Sequence, residues 1–106
     1  MGLPKFDDDN FEANVLQSNV PVLVDFYTEW CQPCKRLAPV IEELAASYTD
    51  RVKMGKLDVD EAPKTATQYG VMGVPTLILF KGGEAKETIV GVVPKATLEG
   101  MIAKHI

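Results

Sequence analysis

The chain has 106 residues, 46% of them hydrophobic, which is enough for one domain with its own core, and we predict a single domain over 1–106. Acidic residues outnumber basic ones by 15 to 11, and Lys and Arg form no cluster, so neither nucleic acid nor an anionic membrane is expected as a partner. No apolar stretch could span a membrane and Met1–Lys5 lacks a signal-peptide core, which predicts a cytoplasmic protein, although a chain trimmed of a targeting segment would look the same.

The first predicted element is an amphipathic helix that follows an acidic segment. Asp9 and Glu12 have the spacing of a capping box, and acidic residues in the first turn suit the positive end of the helix dipole. In such a helix Phe11, Val15 and Leu16 would face the core.

The next predicted element is a strand at 22–27, which is apolar on both faces except for Asp25. A strand of this kind is typically covered by helices on both sides. It leads directly into Trp30–Lys35, with the sequence WCQPCK, which contains the only two cysteines of the chain.

A helix is predicted after the cysteines, because apolar residues recur at three- and four-residue steps. The residues of this face are Cys34, Leu37, Ala38, Ile41, Leu44, Ala45 and Tyr48. Pro33 fits the first turn, where its missing N–H has no effect, whereas Pro39 lies inside the pattern and should kink the helix.

The second half of the chain predicts three strands, the last two joined by a hairpin turn, and two helices. In chain order these are a strand at 52–59, a helix at 60–69 capped by Asp60, a strand at 76–80, a turn at 81–84, a strand at 87–90 and a helix that opens at Pro94. A strand–helix–strand crossover gives a parallel pair, and a hairpin adds antiparallel strands. The sequence therefore predicts an α/β fold, with one central mixed sheet and helices on both of its faces.

The two cysteines, Cys31 and Cys34, are predicted to form a reversible disulfide. Residues three apart on a helical turn lie about 5–6 Å from one another, within the range that a disulfide spans. So short a loop restricts the unfolded chain little, which favours a redox role over a stabilising one. The alternatives are two unrelated thiols and a zinc site. Zinc needs four ligands, and His105, interpreted as a terminal surface residue, is the only histidine, so no metal is predicted.

The position of each cysteine predicts its role in thiol–disulfide exchange. Cys31 precedes the helix, where unpaired N–H groups and the helix dipole stabilise a thiolate, and Lys35 adds positive charge nearby. Cys34 lies one turn further along on the apolar face. We therefore predict that Cys31 attacks a substrate disulfide and that Cys34 resolves the mixed disulfide.

Two charged residues interrupt predicted strands and are candidate site residues. Burial would raise the pKa of Asp25 towards neutrality, so that it could accept a proton from Cys34; the alternative is a strand-end residue that reaches solvent. Lys56 either pairs with Asp25, directly or through water, or is a surface lysine whose stem lies along apolar side chains.

These motifs together resemble the thioredoxin family along most of the chain. The segments that match are Val24–Phe26, Trp30–Lys35, Pro39, Lys56–Leu57, Gly73–Thr76, Phe80–Gly83 and Gly91. A Cys-x-x-Cys motif beside a strand–helix–strand pattern is a known sign of this fold. Two departures stand out: Gln32 replaces the usual Gly and is expected to tune the redox potential, and Tyr27 stands where many members have Trp and is expected to alter only packing.

The resemblance also implies a substrate surface next to the cysteines. It would be formed by Trp30, Gly73, Val74, Pro75 and Gly91, with the backbone of Val74 open to an extended substrate. Most X–Pro bonds are trans, so the residues alone predict a trans bond before Pro75, whereas the resemblance implies a cis bond. Met72 would either join this surface or be an ordinary exposed methionine.

In function, the resemblance implies a monomeric protein-disulfide reductase without metal, nucleotide or flavin. Its substrates would be disulfide-containing proteins, and a thioredoxin reductase would supply its electrons; Pro33 and Lys35, like Gln32, would tune the redox pair. Two alternatives remain open. One is an enzyme of the same fold biased towards oxidation or isomerisation, for which Gln32 is the reason. The other is a binding subunit that acts without redox chemistry.

Overall fold

The computed structural model describes residues 2–106 and contains a five-stranded mixed sheet. The strands are β1 (Lys5–Phe6), β2 (Val22–Tyr27), β3 (Lys53–Asp58), β4 (Thr76–Lys81) and β5 (Glu84–Val90). Their order across the sheet is β1-β3-β2-β4-β5. Strand β3 pairs in parallel with β1 and β2, whereas β4 pairs antiparallel with β2 and β5, which confirms the predicted mixed sheet.

Helices cover both faces of this sheet, as predicted. They are a short π-helix (Glu12–Leu16), α1 (Gln32–Ser47), α2 (Pro63–Gln68) and α3 (Lys95–Ala103). Alternate residues of β2 enter two separate hydrophobic clusters, since Val24 packs in one and Leu23 in the other. The first cluster includes residues of the π-helix and α2, and the second includes residues of α1 and α3.

Strand β1 was absent from the sequence-based prediction, which began the fold with a helix. It is only two residues long, too short for a detectable period, and it pairs Phe6 with Leu57 on β3. The Phe6 ring lies against the backbone of Gly55, where a Cβ would collide with it. A glycine inside a strand marks such a close approach, and this signal was available in the sequence.

The predicted capping box of Asp9 and Glu12 is wrong, because the turn closes two residues earlier. The Asp7 carboxylate accepts hydrogen bonds from the backbone N–H groups of Asp9 and Asn10, at 2.9 and 2.8 Å. The Asn10 side-chain oxygen accepts one from the Asp7 N–H at 2.8 Å. This reciprocal pair has the same three-residue spacing, and consecutive acidic residues offered more than one register for it.

The predicted cap of helix α2 is also wrong, because Asp60 does not cap it and the helix begins at Pro63. The capping carboxylate comes instead from Asp8. Its oxygens accept hydrogen bonds from the Thr65 N–H at 2.9 Å, the Thr65 hydroxyl at 2.8 Å and the Lys64 N–H at 3.4 Å. A partner so distant in sequence leaves no local signal, which is why Asp60, a residue close to the helix start, was predicted as the cap.

The hairpin and the final helix agree with the sequence. Gly82 and Gly83 both have positive φ, at 62° and 81°, and form the two-residue turn between β4 and β5. Strand β5 begins at Glu84, three residues earlier than predicted. Pro94 precedes α3, whose buried residues are Leu98, Met101 and Ile102. Pro39 lies within a continuous α1, and the kink expected there stays a prediction.

We predict that Asp8 stabilises the fold by capping α2. In Asp8→Ala the hydrogen bonds to Lys64 and Thr65 are lost, and the free energy of unfolding should fall by about 1 kcal/mol. Urea denaturation of the two proteins measures this difference. Asp9→Ala is the matched control, since the exposed Asp9 carboxylate accepts no hydrogen bond within residues 2–106, and its effect should stay below about 0.5 kcal/mol. Equal losses in both variants would contradict the capping role of Asp8.

Candidate active site

The two cysteines lie at the start of helix α1 and are joined as a disulfide, with their Cα atoms 5.2 Å apart. Cys31 is the N-cap residue and is partly exposed, whereas the side chain of Cys34 is only 4% exposed. The Cys34 N–H donates to the Cys31 sulfur at 3.1 Å. One sulfur is therefore accessible and held at a helix N-terminus, while the other is buried, as the sequence predicted.

The residues predicted to tune this pair occupy the first turn of α1. Gln32 is the first helical residue and is exposed, and Pro33 lies within the same turn. The Lys35 side chain is exposed, and its backbone N–H donates to the Cys31 carbonyl at 3.2 Å. Gln32 thus adjoins the cysteine pair in sequence but faces solvent.

Asp25 is buried in the middle of the central strand, so the alternative of a solvent-reaching residue is wrong. Its side chain is 4% exposed, and its Oδ1 atom has no hydrogen-bond partner within residues 2–106. Burial raises the pKa of Asp25 to about 6, and the positive charge of Lys56 opposes this rise. The carboxyl group can therefore gain or lose a proton near neutral pH.

A cavity of about 180 Å³ brings Asp25, Cys34 and Lys56 together. Its other lining residues are Leu3, Tyr27, Thr28, Glu29, Lys35, Ala38 and Glu42. Asp25 and Lys56 are register partners on the parallel strands β2 and β3, which places both side chains on one face of the sheet.

Lys56 does not pair directly with Asp25, so the direct form of the predicted pair is wrong, whereas the water-mediated pair and the surface lysine with its stem along apolar side chains stay predictions. Within residues 2–106 the two form no ion pair, and Lys56 is only partly exposed. Its ammonium lies over the ring of Tyr27, 5.5 Å from the centroid. Tyr27 was expected only to alter packing, so the sequence analysis missed this contact.

The loop before β4 has a cis bond between Val74 and Pro75, so the trans bond expected from the residues alone is wrong. Gly73 is exposed, and its carbonyl accepts a hydrogen bond from the Thr76 hydroxyl at 2.6 Å. Pro75 is buried, and its carbonyl accepts one from the Gly91 N–H at 2.8 Å. Pro75 therefore adds little exposed surface to the predicted substrate site.

Three further side chains, Trp30, Met72 and His105, have an exposure that can be compared with the prediction made for each. Trp30 is 78% exposed and Met72 is 97% exposed, so neither belongs to the core. His105 is not a plain surface residue. Its Nε2 atom lies 3.0 Å from a carboxylate oxygen of Glu87, and both side chains are partly buried.

The described part of the chain contains neither a metal-binding cluster nor a membrane-spanning helix. No group of three or more His, Cys, Asp or Glu side chains there could hold a metal ion. No helix there has both the length and the apolar character that crossing a membrane requires.

Comparison with known proteins gives a consistent result along the chain. The family model described as Thioredoxin matches residues 3–104. Thioredoxin 1 of Synechococcus elongatus is 48% identical, over 93% of this chain and 92% of that protein. The thioredoxin of Synechocystis sp. is 47% identical, over 97% and 96%. The chloroplastic M-type thioredoxin of Chlamydomonas reinhardtii is 49% identical, over 94% and 71%.

We predict that removing the Asp25 carboxyl group stabilises the protein increasingly as pH rises. Below about pH 4, the unfolded pKa, Asp25 is protonated in both states and its ionisation has no effect on stability. Between there and the folded pKa of about 6 the unfolded state ionises first, so a penalty on folding grows. Above the folded pKa the penalty is constant, at about 3 kcal/mol for the shift from 3.8 to about 6.

The measurement is urea denaturation of the parent protein, Asp25→Ala and Asp25→Asn at about pH 4 and about pH 7. The advantage of each variant should grow between the two values. Asp50→Ala is the control, because this exposed carboxylate should give no such trend. If the variants were less stable than the parent at neutral pH, Asp25 would be a stabilising residue and the interpretation would be wrong.

Proposed function

The chain belongs to the thioredoxin family and is a thiol–disulfide oxidoreductase that reduces protein disulfides, and from this premise we propose how its residues divide the reaction. Members of the family in general act on disulfide-containing proteins and receive electrons from a thioredoxin reductase. The observation that carries the proposal is the unequal pair at the start of α1, with Cys31 accessible and Cys34 buried.

Cys31 is the proposed nucleophile. In the reduced protein its thiolate attacks one sulfur of a substrate disulfide; a Cys31–substrate bond forms, the substrate S–S bond breaks, and the departing thiolate takes a proton. The Cys34 thiol then loses its proton and attacks the Cys31 sulfur. This closes the Cys31–Cys34 disulfide and releases the second substrate thiolate, so two electrons pass to the substrate. The exposure of Cys31 and the N–H of Cys34 aimed at its sulfur support this order.

Asp25 is the proposed acceptor of the Cys34 proton. The two side chains line one cavity, and a pKa of about 6 suits a group that takes up and releases protons near neutrality. Lys56 lines the same cavity and favours the ionised form of Asp25. Disulfide reduction should therefore be slower in Asp25→Ala even where that variant is more stable. An unchanged rate would remove Asp25 from the reaction.

The proposed substrate surface lies around the loop before β4. Trp30 and Gly73 are exposed and Val74 and Gly91 are partly exposed, whereas buried Pro75 would shape the backbone of this loop rather than add exposed surface. Within residues 2–106 the backbone of Val74 forms no hydrogen bond, which leaves its N–H and C=O free for an extended substrate segment. Exposed Met72 adjoins this loop and would widen its apolar part.

We further propose one monomeric thioredoxin domain over 1–106 that works in the cytoplasm. The match of the family model to 3–104 and the single sheet support one domain. The names of some relatives place them in the chloroplast, whereas the names of others give no compartment. The chloroplast is therefore the alternative location.

Cysteine variants test the order of attack. Cys34→Ser should accumulate mixed disulfides with substrate proteins on Cys31, because attack proceeds and resolution cannot. Cys31→Ser is the matched control and should trap almost nothing, since its remaining sulfur is buried. Adducts are counted on non-reducing gels and located by peptide mass spectrometry. Adducts mainly on Cys34 would reverse the assignment. If the protein were instead a binding subunit, partner capture would survive loss of both sulfurs.

Gln32→Gly tests whether the unusual residue between the cysteines changes the direction of the reaction. The Gln32 side chain is neutral and exposed, so it should act on Cys31 only through local backbone freedom and hydrogen bonding. The reduction potential, measured against a glutathione buffer, should change by no more than about 30 mV, equivalent to about 1.4 kcal/mol. A much larger change would mean that Gln32 contacts the thiolate, and would favour the oxidase or isomerase alternative.

A further inference from the structure

Tyr27 lies beside the active-site cavity but has no part in the reaction proposed above. It ends strand β2, two residues beyond Asp25, so both side chains point to the same face of the sheet. Lys56 is opposite Asp25 on β3 and points to that face as well. All three side chains line the cavity.

The Lys56 ammonium lies over the Tyr27 ring. The Nζ atom lies 5.5 Å from the ring centroid, inside the distance of about 6 Å at which a ring face attracts a cation. Within residues 2–106 no ion pair competes for this ammonium. A lysine without such a contact extends its charged end into water. The ring therefore biases Lys56 towards the cavity.

We propose that Tyr27 is a positioning residue, whose ring keeps the Lys56 ammonium facing Asp25 and thereby sets how readily Asp25 gives up its proton. The coupling between the Tyr27 ring, the Lys56 ammonium and the Asp25 carboxyl group exists in the protein without substrate. Only its consequence for the rate rests on the function proposed for Asp25, so the two ideas can fail separately.

Other titratable groups also surround Asp25 and Tyr27. They are Lys35 and Glu42 on α1, Glu29 in the segment before α1, Lys5 on β1, Asp58 on β3 and Glu61 before α2. All of them stay unchanged in the variants below, so their effects cancel when the variants are compared.

The direction of the effect follows from the charge of Lys56. Without the ring the ammonium moves to water, and the ionised form of Asp25 loses a stabilising cation, so the pKa of Asp25 rises. The interaction energy of a cation with a ring is modest and sets the upper limit of the effect. In Tyr27→Leu the acid dissociation constant of Asp25 should therefore fall by up to about fivefold. Tryptophan attracts cations more strongly than tyrosine, so Tyr27→Trp should raise that constant.

The experiment titrates the Asp25 carboxyl carbon by NMR in the oxidised protein. Tyr27→Leu and Tyr27→Trp are each measured with and without Lys56→Met. The opposite shifts in the pKa of Asp25 in the two Tyr27 variants should disappear with Lys56→Met, because a neutral side chain is not attracted to the ring.

Tyr48→Leu is the matched control. Tyr48 also carries a cation over its ring, with the Arg51 guanidinium at 4.8 Å, but it does not line the cavity, so this variant should leave the pKa of Asp25 unchanged.

Equal shifts with and without Lys56 would overturn the proposal, because the ring would then act only through access of water to Asp25. An absence of any shift in the Tyr27 variants would overturn it as well. If Tyr27→Leu does not fold, Tyr27→Trp carries the same comparison.

The pH profile of disulfide reduction separates the Tyr27 coupling from the proposed role of Asp25 as proton acceptor. A profile that moves with the pKa supports both, whereas a moved pKa with an unmoved profile supports the Tyr27 coupling and contradicts the role of Asp25.

Discussion

The register of the central strand β2 is the constraint on which the active site depends. Asp25 is paired with Lys56 on one side and Leu77 on the other, and neighbouring residues of β2 enter opposite hydrophobic clusters. A shift of one residue would exchange the two faces of the strand. It would move Asp25 away from Cys34 and into the cluster that surrounds Val24 and Phe26. The large apolar side chains on both faces therefore hold the carboxyl group where it is needed.

This constraint lets the fold keep a group that opposes its stability. An unpartnered buried carboxylate favours the unfolded state, and apolar residues on both faces of β2 offset the penalty. The same burial gives Asp25 a pKa of about 6, so its proposed use as a proton acceptor and the loss of stability have one physical cause. Relief of the penalty by a direct ion pair with Lys56 would lower the pKa and weaken Asp25 as a proton acceptor. In the structure the ammonium lies over the Tyr27 ring, and within residues 2–106 it forms no direct ion pair with Asp25.

Most of what the sequence predicted depends on neighbouring residues, and most of what it missed depends on distant ones; the Asp7–Asn10 turn and the cis bond before Pro75 are local exceptions. Helix α1, strand β2 and the Gly82–Gly83 turn carry strong local patterns, and the cysteine pair lies where strand and helix patterns meet. Three features join segments that are far apart in the chain, so no periodic pattern in the sequence predicts them. They are the Asp8 cap of α2, the pairing of strand β1 and the His105–Glu87 contact. Within the site, the position and burial of Asp25 followed from the strand pattern. The contact that Lys56 makes depends on the strand register and on the Tyr27 ring, which was expected only to alter packing.

The unequal cysteines and the buried Asp25 arise from different parts of the fold. As N-cap of α1, Cys31 keeps an extended backbone, with φ −82° and ψ 108°, which leaves its sulfur accessible, while Cys34 faces the core one turn later. Pro33 between them has no N–H to leave unpaired, and the Cys34 N–H points at the Cys31 sulfur. In the proposed reaction, attack by Cys31 therefore depends on the start of α1, and removal of the Cys34 proton depends on Asp25 and Lys56 of the sheet. Changes at Gln32 and at Lys56 would then act on different steps of that reaction.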